Sequence, residues 1–197
     1  MKNMLFIMNP KAGRTTLKNS LVDVLEVFCN NDYAVRTYLT KSADDAERIV
    51  QEEGANYDVI VCAGGDGTLG NTVTGYMKSG IRVPLGYIPC GSTNDFARSM
   101  DIPRETVEAA EMIVKAEPFS IDIGSLNDKN FVYVAAFGMF SDTSYATPQN
   151  MKNIFGHAAY VLQGIKSLAN VPSYKMKVTI DGDEQEGEFI FGMVSNS

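Results

Sequence analysis

No apolar run in this chain approaches the roughly 20 residues that a membrane-spanning helix needs, so a lipid partner would have to be met peripherally. The opening Met1-Lys2-Asn3-Met4-Leu5-Phe6-Ile7-Met8 is cut off by Asn9-Pro10. It is too short for a signal-peptide core and reads as a first strand. Basic charge is scarce: 17 Lys and Arg stand against 24 Asp and Glu, a net charge of −7. That argues against a nucleic-acid partner, which calls for a basic face. It also argues against strong electrostatic docking on an anionic membrane, while leaving room for a local basic patch. Histidine occurs once, at His157, and the three cysteines, Cys29, Cys62 and Cys90, include no CxxC pair. A zinc site therefore lacks its ligand set, and the thiols read as reduced and mostly buried in a cytosolic protein. His157, beside Ala158, reads as a packed or solvated helical residue. There is no GxxxxGK[ST] phosphate loop, no internal repeat and no low-complexity segment.

What the chain does have is a globular composition. Of its 197 residues 45% are hydrophobic, with ten Phe and nine Tyr, and 21% are charged with signs interspersed. That suffices for a real core, in one large domain or one domain plus part of another. Strand and helix signals alternate through the first half. Leu5 to Met8 predicts a strand, and Leu17, Leu21, Val24, Leu25 and Phe28 a helix with one buried stripe. Val35 to Leu39 predicts a second strand, and Ala46, Ile49 and Val50 a second helix capped by Ser42 or Asp44. Val59-Ile60-Val61-Cys62-Ala63 is apolar throughout, the mark of a strand buried on both faces. A helix on Leu69, Val73, Tyr76 and Met77, a strand over Val83 to Ile88, and helices over Asp95 to Met100 and Glu105 to Lys115 follow. Such alternation predicts an α/β domain over residues 1–124, a parallel sheet with helices on both faces.

After Glu117-Pro118 the pattern changes. Ile121 to Gly124 and Phe131 to Phe137 predict strands joined by the turn Asn127-Asp128-Lys129-Asn130. A helix is predicted on Ile154, Ala158, Val161, Leu162, Ile165 and Leu168. Met176, Val178 and Ile180 then alternate with Lys175, Lys177 and Thr179 as a half-exposed strand. Asp181-Gly182 signals a hairpin, with Glu188 to Val194 as the return strand. Residues 125–197 thus read as the start of a β-rich, sandwich-like domain. A lone hairpin is rarely stable, so that domain reads as unfinished.

Three loops carry the chemistry. Gly64-Gly65-Asp66-Gly67-Thr68 follows the buried strand and opens a helix. Glycines let backbone approach phosphate oxygens, and a helix amino terminus offers free N–H groups and a favourable dipole. A carboxylate at Asp66 suits such a place if it faces Mg²⁺ or takes a proton from an attacking hydroxyl. On the bland reading this is a glycine-rich turn with Asp66 as its cap. Pro89-Cys90-Gly91-Ser92-Thr93-Asn94-Asp95-Phe96-Ala97-Arg98 repeats the strand-to-helix design, with neutral donors at Ser92, Thr93 and Asn94 and a second carboxylate at Asp95. Its bland reading is an N-cap at Ser92 or Asn94. Asn9-Pro10-Lys11-Ala12-Gly13-Arg14, after the first strand, adds small residues and two cations. A parallel sheet brings all three loops to one edge.

Together these residues resemble the diacylglycerol kinase catalytic-domain family, which includes bacterial diacylglycerol kinases and the related sphingosine-type kinases. The NPxxG, GGDGT and PxGSxNDFAR motifs stand in order at Asn9 to Gly13, Gly64 to Thr68 and Pro89 to Arg98. The likeness runs on through Phe137-Gly138 to Asp142 and the Tyr160 to Leu168 helix. GGDGT alone is shared with NAD kinases and phosphofructokinases; PxGSxNDFAR singles out the lipid-kinase branch.

The resemblance implies ATP phosphates over Asn9, Pro10, Lys11, Ala12 and Gly13 and over Gly64, Gly65, Asp66, Gly67, Thr68, Leu69 and Gly70. It implies nucleotide contacts at Thr40 and Ser92. It implies Asp66, Asp95 and Asp122 linked through Mg²⁺ and ordered water, with Asp66 catalytic; the bland reading of Asp122 is a capped strand residue. The activity implied is ATP·Mg²⁺-dependent phosphoryl transfer to a lipid hydroxyl, most simply diacylglycerol to phosphatidic acid. The lipid would lie in a cleft between the two regions, on a cytoplasmic protein associated peripherally with the inner face of the membrane. Oligomeric state stays open, a homodimer among the options.

There are two departures. Gly70-Asn71 stands where the family usually continues Asn-Glu. The family's late DGE motif, which carries its expected general base, is not found; Asp181-Gly182-Asp183 sits in a hairpin turn and is given no catalytic role. This fragment alone is therefore expected to be inactive even if it binds nucleotide. The rivals are a soluble-substrate kinase of the NAD-kinase type and a non-catalytic nucleotide-responsive module.

Overall fold

A computed structural model describes residues 1–12, 16–127, 129–138 and 173–196. The expected helix over Ile154 to Leu168 lies outside the described residues, as do Gly13, Arg14, Asp142 and His157. Two compact units form, Met1–Tyr133 with Asn196–Ser197, and Val134–Ser195.

The first unit alternates as its hydrophobic periods predict. In order come β1 (Lys2–Met8), α1 (Thr16–Asn30), β2 (Tyr33–Leu39), α2 (Asp45–Glu53), β3 (Val59–Gly64), α3 (Asp66–Ser79), β4 (Leu85–Pro89), α4 (Asp95–Ser99) and α5 (Thr106–Lys115). The four strands form one sheet in the order β2-β1-β3-β4, and all neighbours are parallel. Strand alternation sorts the apolar side chains to the two faces. Met4, Phe6, Met8, Val59, Val61 and Ala63 bury with Val24 and Phe28 of α1 and Ala109 and Ala110 of α5. Phe6 meets Phe28 edge-on at 5.6 Å. Leu5, Ile7 and Ile60 bury with Ala46, Ile49 and Val50 of α2. Both faces are covered, which is why β3 reads as an unbroken apolar run.

On the second face, α2 and α3 meet backbone to backbone at Gly75. A Cβ there would lie 2.4 Å from the Glu47 carbonyl oxygen and 2.9 Å from the Glu47 Cα. The nearest atoms are helix backbone, which cannot swing aside. Gly75→Ala is therefore expected to cost about 3 kcal/mol by overpacking. It should appear as a lower urea midpoint at unchanged m-value.

The segment before the expected β-rich region behaves differently from its pattern. Of the strand expected over Ile121 to Gly124, residues Ile121 to Ile123 form none. Instead β5 (Gly124–Leu126) and β6 (Lys129–Phe131) make a short antiparallel hairpin, and β7 (Val134–Gly138) starts afresh after a bend. The hairpin belongs to the first unit. The Asn130 N–H donates to Thr74 Oγ1 at 3.0 Å. Val132 buries among Cys62, Leu69, Val73, Tyr87 and Ala97. Asn196 returns to this edge, its N–H bonding the Tyr133 carbonyl and its Nδ2 the carbonyls of Asp122 and Val132.

Glu47 ties the hairpin to the helices. Its carboxylate, 12% exposed, accepts from Lys129 Nζ and Lys78 Nζ, both at 2.8 Å. Lys129 first, then Lys78, hold its pKa below the ordinary glutamate value. A folded-state pKa lowered in this way adds stability above the usual carboxylate range and loses it as pH falls through that range. The melting temperature should drop between about pH 5 and pH 3, and Glu47→Gln should flatten part of that drop.

In the second unit, β8 (Tyr174–Ile180) and β9 (Asp183–Phe189) form the expected hairpin. Asp181 and Gly182 take φ of 52° and 95°, as a two-residue primed turn requires. The single return strand expected over Glu188 to Val194 is in fact two. The chain bends at Ile190, and β10 (Phe191–Ser195) leaves β8 to pair antiparallel with β7.

Candidate nucleotide site

The chain runs from β1 to β2 on one side and pairs β3 on the other, so the strand order reverses between β1 and β3. Open parallel sheets bind ligands beyond the carboxyl ends of their strands at such a point. The Asn9 and Gly64 loops leave the sheet there.

Asn9 organises the first loop. Its N–H donates to the Ala63 carbonyl at 2.9 Å, and its Nδ2 donates to Thr68 Oγ1 at 2.9 Å. Its Oδ1 accepts the Lys11 N–H at 2.9 Å, and its carbonyl accepts the Ala12 N–H at 3.1 Å. Ala12 packs on the core, while Pro10 and Lys11 are exposed. Thr40, just past β2, is buried, and its N–H donates to the Met8 carbonyl at 2.9 Å.

The loop after Thr40 is held from two sides. Asn71 Nδ2 donates to the Ala43 carbonyl at 2.8 Å. Asp45 Oδ2 accepts the N–H groups of Lys41, at 2.6 Å, and Ser42, at 3.2 Å. The Lys41 N–H above all lowers the Asp45 pKa to about 2. Asp45 thus fastens the loop ahead of α2 rather than capping the helix, and Asp44, which stands at the N-cap of α2, makes no capping bond either. Asn71, which occupies the family's usual Glu position, is here a donor to a carbonyl, a task no carboxylate can perform.

Gly65 caps α3 in extended conformation, with no side-chain bond to the helix start. The N–H groups of Thr68 and Leu69 already turn back to the Gly65 carbonyl. Those of Asp66 and Gly67, in the first turn, have no intrahelical acceptor. A Cβ on Gly67 would meet nothing within 4 Å, so the approach to these donors is open. An anion fits here. Gly70 is half-buried and faces the hairpin, where a Cβ would find only the Asn130 oxygen at 3.8 Å. Leu69 sits in the core with Val73 and Tyr87, so its side chain scaffolds the loop from beneath.

The second glycine loop locks onto the first. The Cys90 N–H donates to the Gly64 carbonyl at 2.7 Å. Gly65 and Gly91 stand so close that a Cβ on Gly91 would lie 2.6 Å from the Gly65 Cα. Asp66 Oδ1 accepts the Phe96 N–H at 3.3 Å, so the carboxylate at the start of α3 meets the first turn of α4. Asp66 and Asp95, each half-buried, open the two adjoining helices. Ser92 is exposed on the rim.

Asn94 was read from sequence as a donor or helix cap. It is buried instead, at φ 53°, and makes no side-chain cap bond. Its side chain closes a ring with Gly91: Oδ1 accepts the Gly91 N–H at 2.8 Å, and Nδ2 donates to the Gly91 carbonyl at 2.9 Å. Tyr87, which the sequence pattern took as a strand residue only, places its hydroxyl under both loops.

Asp122 is exposed, in the segment just before β5. Among the described residues no three His, Cys, Asp or Glu side chains group closely enough to hold a metal together. Mg²⁺ takes only one or two carboxylates and completes its shell with phosphates and water, and the carboxylates at the starts of the adjoining helices α3 and α4 are Asp66 and Asp95.

Two thiols lie beneath the site. Burial raises the pKa of Cys62 to about 12 and of Cys90 to about 11, which favours the neutral thiol at both. Cys29, expected to share a mostly buried character, is exposed on α1.

The family model described as the diacylglycerol kinase catalytic domain matches residues 3–126. The chain is 35% identical over 197 residues to the diacylglycerol kinase of Bacillus subtilis, and the match covers 99% of this chain and 65% of that protein. It is 34% identical to the diacylglycerol kinase of Staphylococcus aureus, covering 99% of this chain and 63% of that one. A crystal structure of a diacylglycerol kinase from Bacillus anthracis superposes with a TM-score of 0.78 at 29% identity, covering 99% of this chain and 64% of that one. The chain therefore spans just under two thirds of the length of each of these relatives.

Proposed function

The chain belongs to the diacylglycerol kinase catalytic-domain family, and on that premise we propose that it carries the nucleotide-handling part of an ATP- and Mg²⁺-dependent lipid kinase. The acceptor is a lipid hydroxyl, that of diacylglycerol first, giving phosphatidic acid. The observation that carries this reading is the interlock at the start of α3. Open N–H donors at Asp66 and Gly67 stand beside a carboxylate whose Oδ1 is fixed by the Phe96 N–H.

The triphosphate would rest on Asn9 to Ala12 and on Gly64 to Gly70, with Thr40 and Ser92 as further nucleotide contacts. Asp66 and Asp95 would hold Mg²⁺, and Asp122 would join them through water. Mg²⁺ held there would supply charge neutralisation for the transferring phosphoryl group. What this chain supplies is position. The Phe96 N–H holds Asp66 Oδ1, which leaves Oδ2 to face the metal or to accept the hydroxyl proton. Among the described residues no helix is long and apolar enough to cross a membrane, and the lipid would be met peripherally at the inner membrane face.

The test offers ATP and Mg²⁺ with diacylglycerol, sphingosine and NAD in parallel to the complete protein. Phosphorylated lipid is the expected product. Phosphorylated NAD with no phosphorylated lipid would contradict the reading.

A further inference from the structure

The buried Tyr87 hydroxyl is a polar group in an otherwise apolar strand, and its surroundings are specific. It donates to the Gly64 carbonyl at 3.1 Å and reaches Asn94 Oδ1 at 3.4 Å. Gly64 precedes the cap of α3, while Asn94 closes the ring that shapes the Gly91 loop. One hydroxyl thus touches both loops from below, each at the residue that sets its course. The ring is held in turn by the core around Cys62, Leu69 and Ala97 and lies 6.2 Å from the Phe96 ring.

The contact is not needed to satisfy its acceptors. The Gly64 carbonyl also takes the Cys90 N–H at 2.7 Å, and Asn94 Oδ1 also takes the Gly91 N–H at 2.8 Å. Losing the hydroxyl leaves no buried acceptor orphaned, so its fold cost should be small. What is lost is the side-chain link that, beside the direct Cys90–Gly64 bond, ties Gly64 to Asn94 and so bears on the spacing of two backbone segments that both face the candidate triphosphate site. Burial, and after it the nearby Asp66 charge, push the phenol pKa up, so the group remains a donor at all working pH values.

We propose that Tyr87 is a positioning residue for nucleotide binding: through Gly64 and Asn94 it sets the separation of the two glycine loops. The inference rests on the nucleotide reading above. A site left about 1 Å too loose because its supporting residues are missing fails to function as a preorganised site.

The test measures affinity for a non-hydrolysable ATP analogue with Mg²⁺ by calorimetry, well below the melting temperature, on the complete protein and on Tyr87→Phe. The expected result is a five- to tenfold weaker dissociation constant with a nearly unchanged melting temperature in the absence of nucleotide. A residue with only a structural role would lower the melting temperature and leave affinity unmoved, and that outcome overturns the proposal. Wild-type protein that binds no nucleotide would overturn the function proposed above together with it. Wild-type protein that binds while Tyr87→Phe binds equally well would overturn the positioning role alone. Asn94→Gly gives a second reading should Tyr87→Phe fail to fold. Glycine accepts the positive φ, and loss of the side chain removes the hydroxyl's partner and the Gly91 ring together. The same weakening is expected, and unchanged affinity would overturn the proposal.

Discussion

Asp66→Asn in the complete protein should lower kcat at least ~100-fold, about 2.7 kcal/mol of barrier, with little change in melting temperature. The substitution separates the two things Asp66 does. An asparagine keeps an Oδ1 that accepts the Phe96 N–H, so the link between α3 and α4 survives. It loses the negative charge, and with it both the ligand for a metal and the base for a proton. Asp66→Ala removes the acceptor as well and should add about 1 kcal/mol of destabilisation to the same loss of turnover. Turnover of Asp66→Asn within a few-fold of wild type would remove Asp66 from the chemistry and reduce it to a helix-start residue.

Gly91→Ala should weaken ATP binding by ~30-fold or more and cost about 2–3 kcal/mol of stability. A Cβ at Gly91 would lie 2.6 Å from the Gly65 Cα and 2.7 Å from Asn94 Oδ1. The first is the backbone of the facing loop, and the second belongs to a side chain held by hydrogen bonds to Gly91 and Tyr87. Neither can give way alone, so the loops must part. Gly67→Ala is the control. Nothing lies within 4 Å of a Cβ there, and alanine favours the helix, so the fold should be no less stable while the open approach to the α3 amino terminus narrows. Nucleotide titrations with melting curves on the two variants check both halves.

The sheet was legible because burial on both faces writes itself into local sequence. Val59 to Ala63 could hardly be anything but a central strand, and it pairs β1 on one side and β4 on the other. The three loops were legible for a related reason: each joins a buried strand to a helix through glycine or turn residues. Strand partners were less legible. Phe189-Ile190-Phe191 continues the apolar pattern of one strand, yet the chain bends at Ile190 and changes partner from β8 to β7. A period of two records which face a residue takes, not which neighbour it finds. Ile121 to Ile123 failed for the same reason, since Ile123 packs against the buried cluster of Cys62, Leu69, Val73 and Tyr87 through side-chain contact rather than a ladder.

The links that make the loops into a site were hidden more deeply. Tyr87 reaches Gly64 because the parallel register sets Cys62 beside Tyr87 and Gly64 beside Pro89. Asn71 reaches Ala43 across the α2–α3 contact. Both are products of tertiary register, 23 and 28 residues apart in sequence. A hint was present in Asn94, since asparagine tolerates the left-handed conformation that the Gly91 turn imposes.

The central claim is transfer of the terminal phosphoryl group to lipid, and one assay meets it directly. Vesicles containing diacylglycerol are incubated with the complete protein, Mg²⁺ and ATP labelled in either the γ- or the α-phosphate, and the extracted lipid is counted. Label is expected in phosphatidic acid from γ-labelled ATP alone. Lipid carrying no label from the γ position, under conditions where the protein binds ATP, would contradict it.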